Sequence, residues 1–178
     1  PDRTSNLPQI LTEHTPLPVQ EIEDGDEIRA GHVYVPPPGT RVTVEDGWFQ
    51  VGARTAPTEH VIDALLSSMA QSWGERAIGI VLSGSGNDGT RGISDLRGEG
   101  GFTLAEDPEG AAFGDMPKNA IRTGHVDVVT SPESLAEEVG RFITFGGAAE
   151  RPEPAELDVR RVLAVVREKR DRDFQPYK

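Results

Sequence analysis

AIGIVLSGSGNDGT, residues 77–90, is a short apolar run that passes into a glycine-rich turn carrying Asn87 and Asp88. A helix-like pattern follows. Such a passage reads as a buried strand, a tight turn and a helix start, and it sets Asp88 at the carboxyl end of the strand. Ligands and reacting groups collect there in α/β proteins.

Outward from this stretch the order of elements becomes regular. The strand at 77–83 leads to a helix over 89–98, which Gly98, Gly100 and Gly101 end. A strand at 102–105, a short helix at 117–123 and a strand at 126–129 follow. Ser131-Pro132-Glu133 starts a last helix that runs to Phe145, with proline in its first turn. Alternating strands and helices imply parallel strands joined by right-handed crossovers.

Upstream, apolar residues at Val61, Ile62, Leu65, Leu66 and Met69 fall at helical spacing over 58–73, with Thr58 at the start and Gly74 at the stop. Two alternating runs flank Asp46-Gly47, a strong hairpin signal, with Val42, Val44, Phe49 and Val51 expected inside. His32 to Val35 reads as a strand that Pro36-Pro37-Pro38 stops. Leu7, Ile10 and Leu11 give a short helix within the first twenty residues. The fold class expected is α/β: a doubly wound, mostly parallel sheet of Rossmann-like three-layer form, with a small β-hairpin insertion and a C-terminal helix. Residues 1–145 make the α/β domain, 146–154 a linker, and 155–178 a charged amphipathic helix that belongs to a following domain or docks back.

Composition narrows the functions. The 178 residues carry a net charge of −12, which disfavours nucleic acid and anionic lipid as partners. Without cysteine there is no disulfide, thiolate nucleophile or thiolate metal site. No run approaches a membrane span, and PDRTSNLPQ at residues 1–9 has no apolar signal region. The chain lacks an initiator Met and reads as part of something longer.

Three readings of the turn compete. Gly84, Gly86 and Gly89 satisfy GxGxxG, and Glu106-Asp107 ends the next strand where a dinucleotide site needs its ribose contact. Asp88 opposes that reading. At about 4 Å, like charges repel by roughly 1 kcal/mol in water and several times more when partly buried. The second reading uses the same helix field in reverse: it stabilises a fixed carboxylate, which can hold a histidine in one tautomer. Exposed amides of the turn can donate to an oxyanion. The third is plain: Asp88 caps the helix that follows, the commoner use of such a residue.

Three segments resemble the catalytic domain of the chemotaxis protein-glutamate methylesterases, the CheB family. They are EDGDEIRAGHVYVPPPG (23–39), PTEHVIDALLSSMAQSWGERAIGIVLSGSGNDGT (57–90) and GGFTLAEDPEGAAFGDMPKNAIRTGHVDVV (100–129). The resemblance covers residues 1–145. It implies a cytoplasmic serine hydrolase with a Ser-His-Asp triad and no cofactor or metal, acting on methyl-esterified glutamates of chemoreceptors or other sensory proteins. By position Asp88 matches the triad aspartate. Ser85, Gly86, Asn87 and Gly89 match the oxyanion and active-site loop, where many members carry Met in place of Ser85. The sequence departs at its start. Pro1-Asp2-Arg3 resembles residues just beyond the family's histidine, so the serine and the histidine are expected upstream. Neither His14, His32, His60 nor His125 is expected to replace that histidine: His60 is expected on the exposed face of its helix, and Ser83 has no histidine placed for it. Residues 155–178, ending DRDFQPYK, resemble the opening helical region of chemoreceptor methyltransferases, the CheR family, which implies a methylesterase/methyltransferase hybrid. A non-catalytic docking module is the alternative of a different class.

Overall fold

The computed structural model describes residues 6–146. Its N-terminal part is a chain of small units. Helix α1 (Leu7–Thr12) has proline in its first turn and turns Leu7 and Leu11 inward. Strand β1 (Val19–Glu21) pairs in parallel with β2 (Val33–Val35), Val19 opposite Val33. Strand β1 is not predicted from the sequence: three residues just after Pro16 and Pro18 are too short for an alternating pattern to show. Its partner β2 closes a small core of Leu7, Leu11 and Val35.

Strands β3 (Thr40–Glu45) and β4 (Trp48–Ala53) form the expected hairpin, with Val42 opposite Val51 and Val44 opposite Phe49. Asp46 and Gly47 both take left-handed backbone angles, φ 49° and 85°, as a two-residue turn of this hand requires. Val42, Val44 and Phe49 are buried, whereas Val51 is only half-buried at the margin of that cluster. The hairpin packs on α2 (Val61–Trp73) through Leu65, Met69 and Trp73.

Helix α2 starts three residues later than the Thr58 signal suggests. Residues 54–59 are knitted into a loop instead. The Arg54 side chain donates to the carbonyls of Ala56, Pro57 and Glu59. The Glu59 carboxylate accepts from the amide and hydroxyl of Thr55.

The remainder is the layered unit that carries the site. Strands β5 (Ile78–Val81), β6 (Phe102–Glu106) and β7 (Val128–Thr130) are parallel and lie in the order β5-β6-β7, Ile78 opposite Phe102 and Leu104 opposite Val128. Helices α3 (Thr90–Gly98) and α4 (Asp115–Arg122) connect them on one face, where Val81, Ile93, Leu96 and Ala120 pack with Leu66 and Ala70 of α2. Helix α5 (Pro132–Arg141) covers the other face through Leu135, Ala136 and Val139 on Leu104. The sheet is thus covered on both sides, as an α/β three-layer fold demands. Ser131 caps α5 by accepting the Ser134 amide, and Pro132 follows in the first turn. A wide helical turn, Phe142–Gly146, extends it and stacks Phe142 on Phe102.

Gly92 sets the closest approach between layers. A Cβ there would lie 2.6 Å from Leu66 Cβ and 3.1 Å from Asp63 Cα, so α2 and α3 touch through bare backbone. Of the linker expected over 146–154, Gly146 ends the wide helical turn, and residues 147–154 and the helix expected at 155–178 lie outside the described residues. Among the described residues no helix is long and apolar enough to cross a membrane.

Candidate active site

The loop from Ser83 to Gly89 leaves β5 at the carboxyl edge of the sheet, where its geometry is glycine-dependent: Gly86 and Gly89 have φ of 90° and 89°. Gly84 is packed by Met116, whose Sδ lies 2.3 Å from where a Cβ would stand, so a side chain there would have to push the methionine aside. The loop is stitched to the chain before α4 and to α4 itself. Gly84 donates to the Phe113 carbonyl, Met116 donates back to the Gly84 carbonyl, and the Asn119 side chain donates to the Gly86 carbonyl. Ser85, Gly86 and Asn87 are exposed at its crest. Among the described residues their amides meet no acceptor, so they are free to donate outward.

Asp88 is half-buried behind that crest. Its Oδ1 accepts the amides of Asp63 and Gly89, both at 2.9 Å, and its Oδ2 accepts the Ile62 amide at 3.1 Å. Ile62 and Asp63 are the second and third residues of α2. Asp88 therefore caps α2 from another element, not the helix that follows it. The expectation that it caps α3 is corrected here. The residue at the start of α2 is His60, whose side chain makes no cap, so the helix borrows its acceptor.

The loan is returned. Helix α3 begins after Gly89, which has no side chain, and the Gly92 amide donates to Asp63 Oδ1 at 2.8 Å. Two helix starts face each other, each supplied with a carboxylate by its opposite number. Positive helix ends and aimed amides stabilise both anions. This crossed arrangement was not read from the sequence. The available signal was that neither His60 nor Gly89 brings a carboxylate, amide or hydroxyl oxygen to cap the helix it precedes.

His60 is exposed as expected, but it stands at the helix start rather than along its face, with Nδ1 3.0 Å from Asp63 Oδ2. His14 bonds its own α1 carbonyl at Ile10, and His32 bonds Ala30 and stacks near Tyr34. Ser83 is tied at both ends to the Phe113 main chain: its hydroxyl accepts the Phe113 amide at 2.9 Å and donates to the carbonyl at 3.3 Å.

His60, Asp63 and Asp88 bring one donor atom each within 4.8 Å of one another, the spacing a metal ion could bridge. The electrostatics oppose a cation. Four main-chain amides point their positive ends at these same carboxylates, and two helix N-termini converge on them. Glu106 is buried at 2% exposure and accepts the Ser83 amide at 2.8 Å.

A cavity of about 820 Å³ opens beside the loop, bordered by Asp88, Asn87, His60, Ile62, Phe113 and the carboxyl end of β5. Asp88, Ser85, Gly86 and Asn87 all line it, whereas Gly89 is buried beneath, against Ile62. The arrangement offers one immobilised carboxylate with an unused lone pair on Oδ2, and outward amides a few residues away. That combination can orient an imidazole and stabilise an oxyanion.

Comparison with known proteins points the same way. A family model described as CheB methylesterase matches residues 1–139. A protein-glutamate methylesterase/protein-glutamine glutaminase of Geobacter sulfurreducens is 39% identical over 142 residues, covering 76% of this chain and 38% of that protein. An uncharacterized 104.1 kDa protein of Rhodobacter capsulatus is 36% identical over 138 residues, 77% of this chain and 14% of its own length. A putative protein of the same methylesterase/glutaminase description from Leptospira interrogans is 32% identical over 132 residues, 72% of this chain and 68% of its own. Among solved structures, the catalytic domain of Thermotoga maritima CheB methylesterase superposes with a TM-score of 0.67 at 29% identity, covering 76% of this chain and 75% of that one. The chain spans 14% and 38% of the length of the Rhodobacter and Geobacter relatives.

Proposed function

The chain belongs to the CheB methylesterase family, and on that premise we propose that it carries the aspartate and the oxyanion loop of a protein-glutamate methylesterase. Asp88 orients a histidine. The histidine takes the proton of a serine hydroxyl as its oxygen attacks the ester carbonyl of a methylated glutamate side chain. The tetrahedral oxyanion is met by amides of the Ser85–Asn87 crest. Collapse breaks the ester bond, and the imidazolium returns its proton to the departing methoxide, giving methanol. Water, deprotonated by the same histidine, then attacks the acyl-serine ester; its acyl–oxygen bond breaks, the imidazolium returns the proton to the serine oxygen, and the glutamate carboxylate is released. Serine and histidine come from outside the described residues. Ser83 is no substitute, because its hydroxyl is engaged with Phe113.

The observation that carries this reading is the state of the Asp88 carboxylate. Three amides fix it, one lone pair of Oδ2 is left over, and the residue lines the cavity at the carboxyl end of a parallel sheet. Methylated chemoreceptors or other sensory proteins are the substrates proposed, in the cytoplasm, with a fused methyltransferase region after residue 154. The glutaminase named in the relatives follows by the same steps, with ammonia leaving in place of methanol.

The same three amide contacts also favour a second reading, a docking module in which Asp88 only caps α2. The nucleotide-binding reading has less support: Glu106 is turned inward onto Ser83 rather than toward a ribose, and Asp88 would face the phosphates. One assay separates them. The full-length protein should release methanol from methylated receptor fragments, whereas the 178-residue chain alone should not exceed background. A docking module releases none in either form. Saturable binding of NAD or ATP by the chain would support the nucleotide reading.

A further inference from the structure

Asp63 is a buried carboxylate, 7% exposed, that takes no part in the chemistry above. A buried carboxylate is costly unless it is paired, so the partners of this group define its use. Its Oδ1 accepts the Gly92 amide of α3 at 2.8 Å, and its Oδ2 lies 3.0 Å from His60 Nδ1. Its own main-chain amide donates to Asp88 Oδ1 at 2.9 Å. One residue thus holds Asp88 with its backbone and holds the start of α3, two residues beyond Asp88, with its side chain. The surroundings leave little slack, since a Cβ on Gly92 would lie 3.2 Å from the Asp63 carbonyl oxygen.

Resting on the methylesterase reading, we propose that Asp63 is a positioning residue: its carboxylate locks α3 against α2 and so fixes the direction in which Asp88 presents its free lone pair. Two donors saturate Oδ1 of Asp88 and one occupies Oδ2. The angle of the carboxylate is then set by where the start of α2 lies relative to Gly89. Removing the Asp63 side chain frees the Gly92 amide, lets the start of α3 drift, and carries Asp88-Gly89 with it. Asp63 does not border the cavity, so substrate binding should be spared while the histidine loses its register. A displacement of about 1 Å at a reacting group costs on the order of a hundredfold in rate.

The test measures kcat and KM for methyl-ester hydrolysis by the full-length protein, with thermal unfolding of each variant. Asp63→Ala should lower kcat roughly 10- to 100-fold with KM within about twofold. Asp63→Asn keeps an acceptor for Gly92 and should recover most of the rate. Should Asp63→Ala fail to fold, Asp63→Glu serves: it keeps the charge, adds a methylene to the clamp, and should lower kcat by roughly tenfold. A merely structural role would lower the unfolding temperature and leave kcat per folded molecule unchanged, which overturns the inference. So does an Asn variant as impaired as Ala. Asp88→Asn separates the levels. If it is crippled while Asp63→Ala and Asp63→Glu keep wild-type kcat, only the positioning role falls. If Asp88→Asn keeps full rate, or the wild type has none, the methylesterase reading falls and takes this inference with it.

Discussion

At Asp88, three main-chain donors converge on two oxygens, and among the described residues none has a second acceptor to turn to. Asp88→Ala therefore strands the Ile62 and Asp63 amides at the start of α2, and should destabilise the fold by about 1–3 kcal/mol in denaturant unfolding. An unchanged midpoint would show that water replaces the carboxylate freely. The sequence marked Asp88 through its glycine-rich turn, because the turn is local. It could not mark Asp63, because the Gly92 amide that its side chain accepts lies 29 residues away in a geometry that only the packed helices create. Gly84 and Met116 are a similar case. Each is visible as a motif residue, but the contact of Met116 with Gly84 depends on α4 folding back over the loop.

Among elements, α2 is the hub, packed by the hairpin on one side and α3 on the other. Gly92 is the point of contact, and Gly92→Ala should cost about 1–3 kcal/mol by overpacking against Leu66. Gly98, with nothing within 4 Å of its Cβ direction and no positive φ, is the control: Gly98→Ala should be neutral or slightly stabilising. The loop before α2 has a pH dependence of definite sign. The Thr55 amide and hydroxyl, and then Arg41, hold the Glu59 carboxyl below its ordinary range. A lowered folded-state value means that the contribution is present above the unfolded value and is lost as pH falls through the folded one. The Thr55 amide resonance should follow that acid titration, and Glu59→Gln should abolish it. The hairpin, α3, β6 and α5 were legible because each carries its own periodicity or punctuation. The start of α2 was not. Thr58 imitates a cap, while the working acceptor is a residue thirty positions later in the chain.

For the whole molecule, edge and charge act against each other. Strand β5 stands at one end of the three-stranded sheet with no partner on its outer side among the described residues, an invitation to pairing between copies. A net charge of −12 resists such association. The 178-residue chain should therefore shift to earlier elution in size-exclusion chromatography as salt is raised, because screening removes the repulsion and leaves the edge. Elution that is monomeric at all salt concentrations would show the edge to be protected. The alternation of strands and helices made the α/β class readable over residues 77–141, whereas the crossed carboxylates at its site belong to no single segment. What those carboxylates serve decides the function. Methanol release from a methylated receptor by the full-length protein, wild type against Asp88→Asn, tests it most directly. A folded Asp88→Asn protein should lose about 10⁴-fold in kcat, because an amide no longer holds the histidine in its working tautomer. Equal rates from the two proteins would reduce Asp88 to a helix cap.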